Sequence, residues 1–342
     1  MSLTQVFLIF LSALVFAILG TPLAKRVAVV TGVLDQPSGR KIHHTPVPLL
    51  GGAAIYAGFV LALLLFGDRF YVRELVAILL GGTLVSLFGV VDDAHGMRPL
   101  IKLGGQLLAG VVLILSSGGL TGGPQVTIFP STALNIAVTL IWIIGITNAL
   151  NLLDNMDGLS GGIAAVASAF FLLLAALNDQ VLVGAMAAAL LGACIGFLRY
   201  NLNPATIFMG DTGSLFLGFI LAALGIKLRF PGHTPAVTWM IPVLVLGLPI
   251  FDTALVTVSR LRRGLNPLTN GGKDHLSHRL VALGMTRREA VLTCYLIAGS
   301  FGMIAVFLMR ATVTEAYLIL AALIVVSAGA IWRMDRHFVR PG

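Results

Sequence analysis

The residues with the clearest capacity for chemistry in this 342-residue chain stand where long apolar stretches begin or end. Asp92 and Asp93 are adjacent at the end of one such stretch, and Lys102 lies at the start of the next. Two neighbouring carboxylates at an apolar boundary are costly unless a positive charge compensates them. We interpret these three residues as catalytic, acting on Mg²⁺ or phosphate. A solvated turn at the boundary is the alternative.

A second polar segment has the sequence NALNLLDNMDG and occupies residues 148–158. If the preceding helix continues into it, Asn148, Asn151 and Asn155 share one side of that helix, with Asp154 beside them. One helix cap needs one polar side chain, whereas this segment offers several. We therefore predict that the segment binds a ligand, and a capping role is the alternative.

A third segment begins at Asn201 and ends with the sequence FMGDTGS at residues 208–214. Asp211 could be the N-cap of the helix that follows. A helix start also attracts phosphate through its free N–H groups and its dipole, and Gly210 permits a close backbone approach. A capping role and a metal or phosphate role are compatible, so both stay open for Asp211.

Two basic segments complete the set of candidates. One extends from Arg260 through the sequence KDHLSHR at residues 273–279, where histidines beside arginine favour an anionic substrate. The other, DQPSGRKIHHTPVPLLGG at residues 35–52, is basic and stiffened by proline, and it contains Arg40 and His44. We predict that both segments face phosphate. For the first segment, the alternative is a loop that only orients the chain or binds lipid headgroups. For the second, the alternative is a loop that only orients the chain.

The elements that position these residues are apolar helices. Hydrophobic residues make up 58% of the chain and charged residues 11%, which is too little charge to cover a soluble protein of this length. The bilayer must be the solvent, and each crossing takes about 20 apolar residues. The runs are continuously apolar and not alternating, which argues against membrane-spanning strands. We predict an all-α polytopic membrane protein with about eleven transmembrane helices, near residues 3–24, 48–66, 75–91, 102–117, 133–150, 160–177, 181–198, 213–229, 237–259, 289–309 and 315–332.

The distribution of Lys and Arg predicts the orientation. With the N-terminus outside, most of the 22 basic residues fall in cytoplasmic loops, and the C-terminus is cytoplasmic. We predict a multi-pass protein of the inner membrane, with one membrane-embedded domain over residues 1–342 and active-site loops facing the cytoplasm. This bias also accounts for the net charge of +8, so we predict no nucleic-acid partner.

Nearly all of the unusual polar residues lie on one side of the predicted membrane. A transporter or lipid flippase, which is the competing class of function, would need polar groups through the whole depth of the bilayer. Asp252 is the main ionisable exception within a predicted span, and a structural ion pair or a cap explains it most simply. The asymmetry favours an enzyme with its active site at one face.

Taken together, the segments VDD at 91–93, NALNLLDNMDG at 148–158, FMGDTGS at 208–214 and HLSHR at 275–279 resemble the polyprenyl-phosphate N-acetylhexosamine-1-phosphate transferase family. The resemblance covers nearly the whole chain. It implies transfer of a sugar 1-phosphate, with GlcNAc 1-phosphate favoured, from a UDP-sugar to undecaprenyl phosphate, which releases UMP. This reaction is the first membrane step in the synthesis of cell-envelope glycopolymers.

The span count and the sequence around His275 look more like the branch that primes O-antigen, enterobacterial common antigen or wall teichoic acid. The chain departs from that branch at Ser277, where the branch usually has histidine. The lipid I synthase branch, which uses UDP-MurNAc-pentapeptide, is the alternative within the family. A homodimer is left open.

The resemblance also implies a role for each matching residue. Asp211 is implied as a Mg²⁺ ligand together with Asn151, and Mn²⁺ is the alternative ion. Asp92 and Asp93 are implied to face the metal and the lipid phosphate, and Lys102 to bind phosphate. The implied substrate contacts are Asn201, Phe208 and Asp157 for uridine, Arg262, His275, His278 and Arg279 for pyrophosphate and sugar, and Asn148, Asp154, Arg40 and His44 for the substrates in general.

Two reaction courses stay open. In one, the lipid phosphate attacks the β-phosphorus directly; in the other, an aspartate attacks first and forms an acyl phosphate. A phosphate monoester has its second pKa near 6, so it is mostly dianionic at about pH 7 and gains little from a general base. We favour direct attack, with Asp93 orienting or assisting the nucleophile.

Overall fold

The computed structural model describes residues 2–36, 45–67, 72–116, 126, 128–267 and 272–338. This part of the chain is mostly helical and divides into two compact units, Met1–Arg229 and Phe230–Gly342. The prediction of a single domain over residues 1–342 stays a prediction.

The first unit contains eight helices and one short pair of strands in its described residues. In chain order these are α1 (Leu3–Thr31), β1 (Leu34–Asp35), β2 (Val47–Pro48), α2 (Gly51–Phe66), α3 (Val72–His95), α4 (Pro99–Ser116), α5 (Thr132–Leu153), α6 (Leu159–Leu177), α7 (Val181–Asn201) and α8 (Gly210–Lys227). The strands pair antiparallel, with Leu34 opposite Pro48 and Asp35 opposite Val47. Apart from this pair, whose two residues per strand are too few for a sequence pattern to indicate, the described residues agree with the predicted all-α class.

Helix α8 lies at the centre of the first unit and contacts α2, α3, α5 and α6. Of the residues in this helix, 83% are buried, the highest share among the candidate spans. Its neighbours approach closely because glycines stand at the crossings: a Cβ on Gly52 would lie 2.1 Å from the Gly213 nitrogen, and one on Gly218 would lie 2.6 Å from the Thr147 Cα. Small residues allow such contacts between helix backbones in a membrane.

The second unit contains α9 (Pro235–Thr238), α10 (Met240–Val245), α11 (Gly247–Arg262), α12 (Leu276–Ala282), α13 (Arg287–Leu308) and α14 (Val313–Phe338). The segment formed by α9 and α10 meets α11 at a bend of 73°. Helix α13 contacts α10, α11 and α12, and α14 contacts α9 and α11.

Within the described residues, eight helices are long and apolar enough to cross a membrane, or nine if the bent pair forms one span. Two shorter apolar helices, Gly51–Phe66 and Pro99–Leu115, add to them. Each stretch that the sequence predicted as a span overlaps one of these helices or the bent pair. A polytopic helical membrane protein is thereby confirmed, while the count of eleven spans and the orientation stay predictions.

Candidate active site

Polar residues at the ends of α3, α4, α5 and α8 come together in the first unit. Asp92 and Asp93 lie in the last turn of α3, Lys102 in the first turns of α4, Asn151 near the end of α5, and Asp211 in the first turn of α8. These residues are far apart in the sequence, and the packing of α3, α4 and α5 around the start of α8 brings them into contact. The structure thus groups all the predicted catalytic and metal-binding residues.

Lys102 links two carboxylates. Its Nζ donates to Asp92 Oδ2 at 2.8 Å and also to Asp211 Oδ2. The three side chains are only 15–22% exposed, so each charge depends on its partners for compensation. The cluster joins α3, α4 and α8 through one ammonium group.

Asn151 contacts the same aspartate from α5. Its Nδ2 donates to Asp211 Oδ1 and to Ser214 Oγ, both at 2.9 Å. Ser214 Oγ in turn donates to the Gly210 carbonyl oxygen at 3.1 Å. Asp211 therefore accepts from Lys102 on one oxygen and from Asn151 on the other.

Asp93 does not face Lys102. Its Oδ1 accepts from the Asp211 N–H at 2.8 Å, and its Oδ2 accepts from the Thr212 N–H at 3.0 Å and from Thr212 Oγ1 at 2.6 Å. Asp93 thus caps α8 from a different helix. The prediction that Asp211 is the N-cap is wrong: Met209 occupies that position without a side-chain cap, and Asp211 follows in the first turn, where a carboxylate is favourable to the helix dipole.

Asn148 is held by a neighbour that sequence reasoning missed. Its Nδ2 donates to Gln106 Oε1 at 2.6 Å and to the Ile144 carbonyl at 2.8 Å. Gln106 is 1% exposed and lies on α4. A single amide within an apolar helix, on the same helix as Lys102, is the signal that could have identified it.

Asp157 and Asn201 join the loop after α5 to the segment before α8. Asp157 Oδ2 accepts from Asn203 Nδ2 at 2.9 Å and from the Ala205 N–H at 3.0 Å. Asn201 is buried, and its Oδ1 accepts from the Gly158 N–H at 3.0 Å. Both residues, which the resemblance implies as uridine contacts, therefore also fix the shape of this region.

Phe208 lies next to that region with its ring partly exposed. Its N–H donates to the Pro48 carbonyl at 2.8 Å, and its carbonyl accepts from the Gly51 N–H at 2.9 Å. The backbone of this residue is thus fixed by the segment that enters α2, independently of its ring.

Asp154 lies close to the carboxylates around Asp211. It directly follows α5 and is partly exposed. Burial, followed by the nearby carboxylates of Asp211, Asp93 and Asp157, raises the pKa of Asp154 to about 8. The accumulation of carboxylates around one lysine favours an additional cation.

A divalent cation fits the donor set of this cluster. Among the described residues, no group of three or more His, Cys, Asp or Glu side chains could hold a metal ion. Mg²⁺ does not need such a cage, because one or two carboxylates suffice when waters and substrate phosphates complete its octahedron. Asp211 has carboxylate oxygens and Asn151 an amide oxygen, the types of ligand that Mg²⁺ prefers, and the two side chains are in contact through Asn151 Nδ2.

The second unit contains a buried aspartate–histidine pair. His275 Nδ1 lies 2.7 Å from Asp252 Oδ2, and Asp252 Oδ1 accepts from the Leu276 N–H at 2.7 Å. Asp252 therefore holds His275 and caps α12, which agrees with the expectation of a structural pair or cap. Both side chains are almost fully buried.

Two arginines at the end of α11 hold the segment before α12. Arg260 Nε lies 3.1 Å from Asp274 Oδ2, and Arg263 Nη2 lies 2.8 Å from Asp274 Oδ1. Burial opposes ionisation, but the hydrogen bonds from these guanidinium groups keep the pKa of Asp274 below its ordinary value. The Arg279 Nε also donates to the Asp274 carbonyl at 2.7 Å.

Asp335 on α14 contacts two of the predicted substrate-binding arginines. Arg262 Nη1 donates to Asp335 Oδ2 at 2.7 Å, and Arg279 Nη2 lies 4.0 Å from Asp335 Oδ1. Arg279 is only 1% exposed, whereas the Arg262 side chain is 49% exposed. Sequence reasoning missed Asp335, which stands as a single acidic residue near the end of the chain.

His278 is half-buried on α12, with its ring 6.3 Å from that of His275. Burial and then the charges of His275 and Lys273 lower the pKa of His278 below its ordinary value. Arg40 and His44, also predicted to bind substrates, lie outside the described residues.

Known proteins resemble this chain along most of its length. Residues 75–229 match the profile of glycosyl transferase family 4. The chain is 36% identical over 323 residues to a Bacillus subtilis (strain 168) protein named "Probable undecaprenyl-phosphate N-acetylglucosaminyl 1-phosphate transferase", covering 92% of this chain and 88% of the relative.

Two further relatives carry related names. The decaprenyl-phosphate N-acetylglucosaminephosphotransferase of Mycolicibacterium smegmatis is 32% identical over 327 residues, which cover 87% of this chain and 80% of that protein. The undecaprenyl-phosphate alpha-N-acetylglucosaminyl 1-phosphate transferase of Yersinia pestis is 27% identical over 329 residues, with coverages of 93% and 87%. The chain therefore belongs to the polyprenyl-phosphate N-acetylhexosamine-1-phosphate transferases of glycosyl transferase family 4, as its motifs predicted.

Proposed function

We propose that this protein transfers GlcNAc 1-phosphate from UDP-GlcNAc to a polyprenyl phosphate, with undecaprenyl phosphate as the expected acceptor. The observation that carries the proposal is the cluster of Lys102, Asp92, Asp211 and Asn151 at the meeting point of α3, α4, α5 and α8. The names of the relatives support the acceptor and the sugar.

The reaction exchanges one phosphoanhydride for another. An oxygen of the lipid phosphate forms a bond to the β-phosphorus of the UDP-sugar, and the bond from that phosphorus to the bridging oxygen breaks. UMP leaves with the bonding pair. No proton has to be removed from an attacking dianion, so the site mainly has to align two anions and neutralise their charge.

Lys102 is the residue best suited to neutralise charge in the first unit. Its ammonium contacts Asp92 and Asp211, so it is held in a fixed place before substrates bind. A fixed cation stabilises charge that develops at the transferring phosphorus without reorganising during the reaction. We assign Lys102 to the substrate phosphates and Asp92 to the orientation of Lys102 and of the attacking phosphate.

Asp211 and Asn151 are the residues that would hold Mg²⁺, with Mn²⁺ as an alternative. Bound there, the ion would neutralise phosphate oxygens of the donor. Phe208, Asp157 and Asn201 border one region, which we assign to the uridine. The arginines and histidines of α11 and α12 remain our proposal for the pyrophosphate and the sugar.

We place the site at the cytoplasmic face of the inner membrane. The proposal rests on the excess of Lys and Arg in the loops that carry the motifs. UDP-sugars are water-soluble and charged, and a lipid phosphate keeps its headgroup at the interface. An active site at helix ends allows both to meet.

The decisive experiment follows radiolabel from the donor into lipid. The full-length protein, in detergent or nanodiscs with undecaprenyl phosphate and Mg²⁺, should transfer label from UDP-GlcNAc to an organic-extractable product and release equimolar UMP. A panel containing UDP-GalNAc and UDP-MurNAc-pentapeptide tests the sugar. Preference for the pentapeptide donor would identify a lipid I synthase, and loss of UDP-sugar without labelled lipid would refute the transferase.

A matched variant, Asp211→Asn, separates the proposed metal role from a folding role. It should need more Mg²⁺ for half-maximal activity while its unfolding temperature stays near that of the unmodified protein. Loss of activity accompanied by equal loss of stability would count against the metal assignment.

A further inference from the structure

Asp93 and Asp92 are adjacent but have different partners. Consecutive residues on an α-helix point about 100° apart, so one of the two can face Lys102 while the other faces a neighbouring helix. Asp92 contacts Lys102. Asp93 instead accepts three hydrogen bonds from the first turn of α8, which use both of its carboxylate oxygens.

The cap ties Asp93 to the residue we assign to the metal. Oδ1 of Asp93 accepts from the backbone N–H of Asp211 itself, at 2.8 Å. Oδ2 accepts from both the N–H and the hydroxyl of Thr212, the next residue. The first N–H groups of a helix have no partner within the helix, so a carboxylate supplied by α3 satisfies them and fixes how α8 begins.

The backbones of α3 and the start of α8 lie close together at this contact. A Cβ on Gly210 would lie 2.5 Å from Asp93 Oδ2, and Gly210 itself has a φ of +71°, which favours glycine. A Cβ on Gly89, one turn earlier on α3, would lie 2.5 Å from the Asp211 carbonyl carbon. The close packing of α3 on α8 therefore holds the Asp93 carboxylate against the helix start.

We infer that Asp93 is a positioning residue, which caps α8 and thereby sets where the Asp211 carboxylate lies, and that it does not attack phosphorus. To act as a nucleophile, the carboxylate would have to give up the donors that surround it, and the start of α8 would lose its cap. This inference rests on the proposed function for its activity readout, but its Mn²⁺-binding readout does not.

Two variants test the cap from its two sides. Asp93→Asn keeps the shape of the side chain but can accept on one atom only, so part of the cap is lost. Thr212→Val removes the hydroxyl donor and keeps the shape of Thr212. If both act through one cap, the effect of the double variant should be smaller than the product of the two single effects, since partners in contact do not act independently.

The expected result for Asp93→Asn is a fall in kcat of about 10–100-fold, which is typical when an outer-shell partner of a metal ligand is lost. Thr212→Val should show a smaller fall. In both variants, Mn²⁺ binding to the substrate-free protein, followed by electron paramagnetic resonance, should weaken. The KM for the lipid should change little, because both carboxylate oxygens of Asp93 are engaged in the cap.

Ser86→Ala is the matched control. Ser86 also lies on α3, and its Oγ donates to the Thr212 carbonyl at 3.2 Å, so its loss disturbs the same helix contact without touching the cap. It should keep near-normal activity and Mn²⁺ binding. Equal loss in Ser86→Ala and Thr212→Val would overturn the inference, because general packing of α3 on α8 would then explain the effect.

A covalent role for Asp93 gives a different set of results. Asp93→Asn would be inactive with normal Mn²⁺ binding, Thr212→Val would be fully active, and the unmodified enzyme would exchange labelled UMP into the UDP-sugar without lipid. Any of these three outcomes overturns the inference. If the unmodified protein transfers no sugar phosphate at all, the proposed function fails, while Mn²⁺ binding in the variants still tests the cap.

Discussion

Lys102 lies between the Asp92 and Asp211 carboxylates, and its ammonium contacts both of them. The Lys102 ammonium therefore lies at the place where we expect phosphates to bind. Because the two carboxylates hold the ammonium in place, it can stabilise phosphate charge without reorganising during the reaction.

We expect Lys102→Gln to lower kcat/KM for UMP release by on the order of 10²–10³, the usual cost of losing one charge-stabilising donor. Arg98→Gln, which changes an exposed basic residue just before α4, is the control and should retain most of the activity. Comparable losses in the two variants would mean that general surface charge, and not the Lys102 contact, is responsible.

Phe208 offers a partly exposed ring on a fixed backbone. Phe208→Ala should raise the KM for the UDP-sugar about tenfold or more, since stacking on a base contributes about 1–3 kcal/mol. The KM for the lipid, measured in the same variant, serves as the internal control. Equal changes in both constants, with a lower unfolding temperature, would show a packing role instead.

At the scale of elements, carboxylates from one helix cap the start of another. Asp93 on α3 caps α8, and Asp252 on α11 caps α12. Helix starts carry unpaired N–H groups that are costly where water is scarce. Each cap therefore stabilises its helix and fixes the angle at which the helix presents its first side chains.

The His278 side chain on α12 should make the folding stability of the protein depend on pH. Its folded pKa lies below the ordinary value of about 6.5, so the unfolded chain binds the proton more readily and folding stability falls as the pH drops through about 6.5. Burial is the main cause of this lowered pKa, His275 and Lys273 act in the same direction, and Asp252 and Asp274 oppose it.

We expect the unfolding temperature of His278→Gln to fall less than that of the unmodified protein when the pH is lowered from about 7.5 to about 5.5. Thermal unfolding in detergent across this range measures the difference. Parallel curves for the two proteins would show that His278 does not titrate as its surroundings indicate.

Asp335 connects α14 to α11 and α12 within the second unit. It is fully buried and accepts from Arg262, with Arg279 at 4.0 Å. Asp335→Asn should lower the free energy of unfolding of the protein by about 1.5–3 kcal/mol, the range for a hydrogen bond to a charged group. Chemical denaturation measures it, and Arg336→Gln, an exposed neighbour on the same helix, should change the free energy far less.

At the scale of the whole molecule, the sequence predicts how the chain is oriented in the membrane. The distribution of basic residues predicts the N-terminus outside and the C-terminus in the cytoplasm. Cysteine labelling in intact cells should therefore leave the segment Lys273–Arg279 unlabelled and should label a cysteine introduced at Ser2. Labelling of the loop from outside, or a protected N-terminus, would contradict the topology.

The sequence by itself determined the membrane class, the positions of the apolar helices and the family. These follow from local properties: hydropathy depends on the residues within one stretch, and the motifs are contiguous. It also placed Asp252 as a structural pair or cap. The sequence did not identify single polar residues without a motif, such as Gln106 and Asp335, because their partners lie on other helices.

Only the tertiary structure decided which role each of the two adjacent aspartates, Asp92 and Asp93, has. Asp92 and Asp93 are chemically identical and adjacent, so no pattern in the chain separates them. The rotation of α3 and its close contact with α8 turn one carboxylate toward Lys102 and the other toward the N–H groups of Asp211 and Thr212. Partners in space, and not neighbours in sequence, set the electrostatics of a carboxylate, and those partners are fixed by how the helices pack.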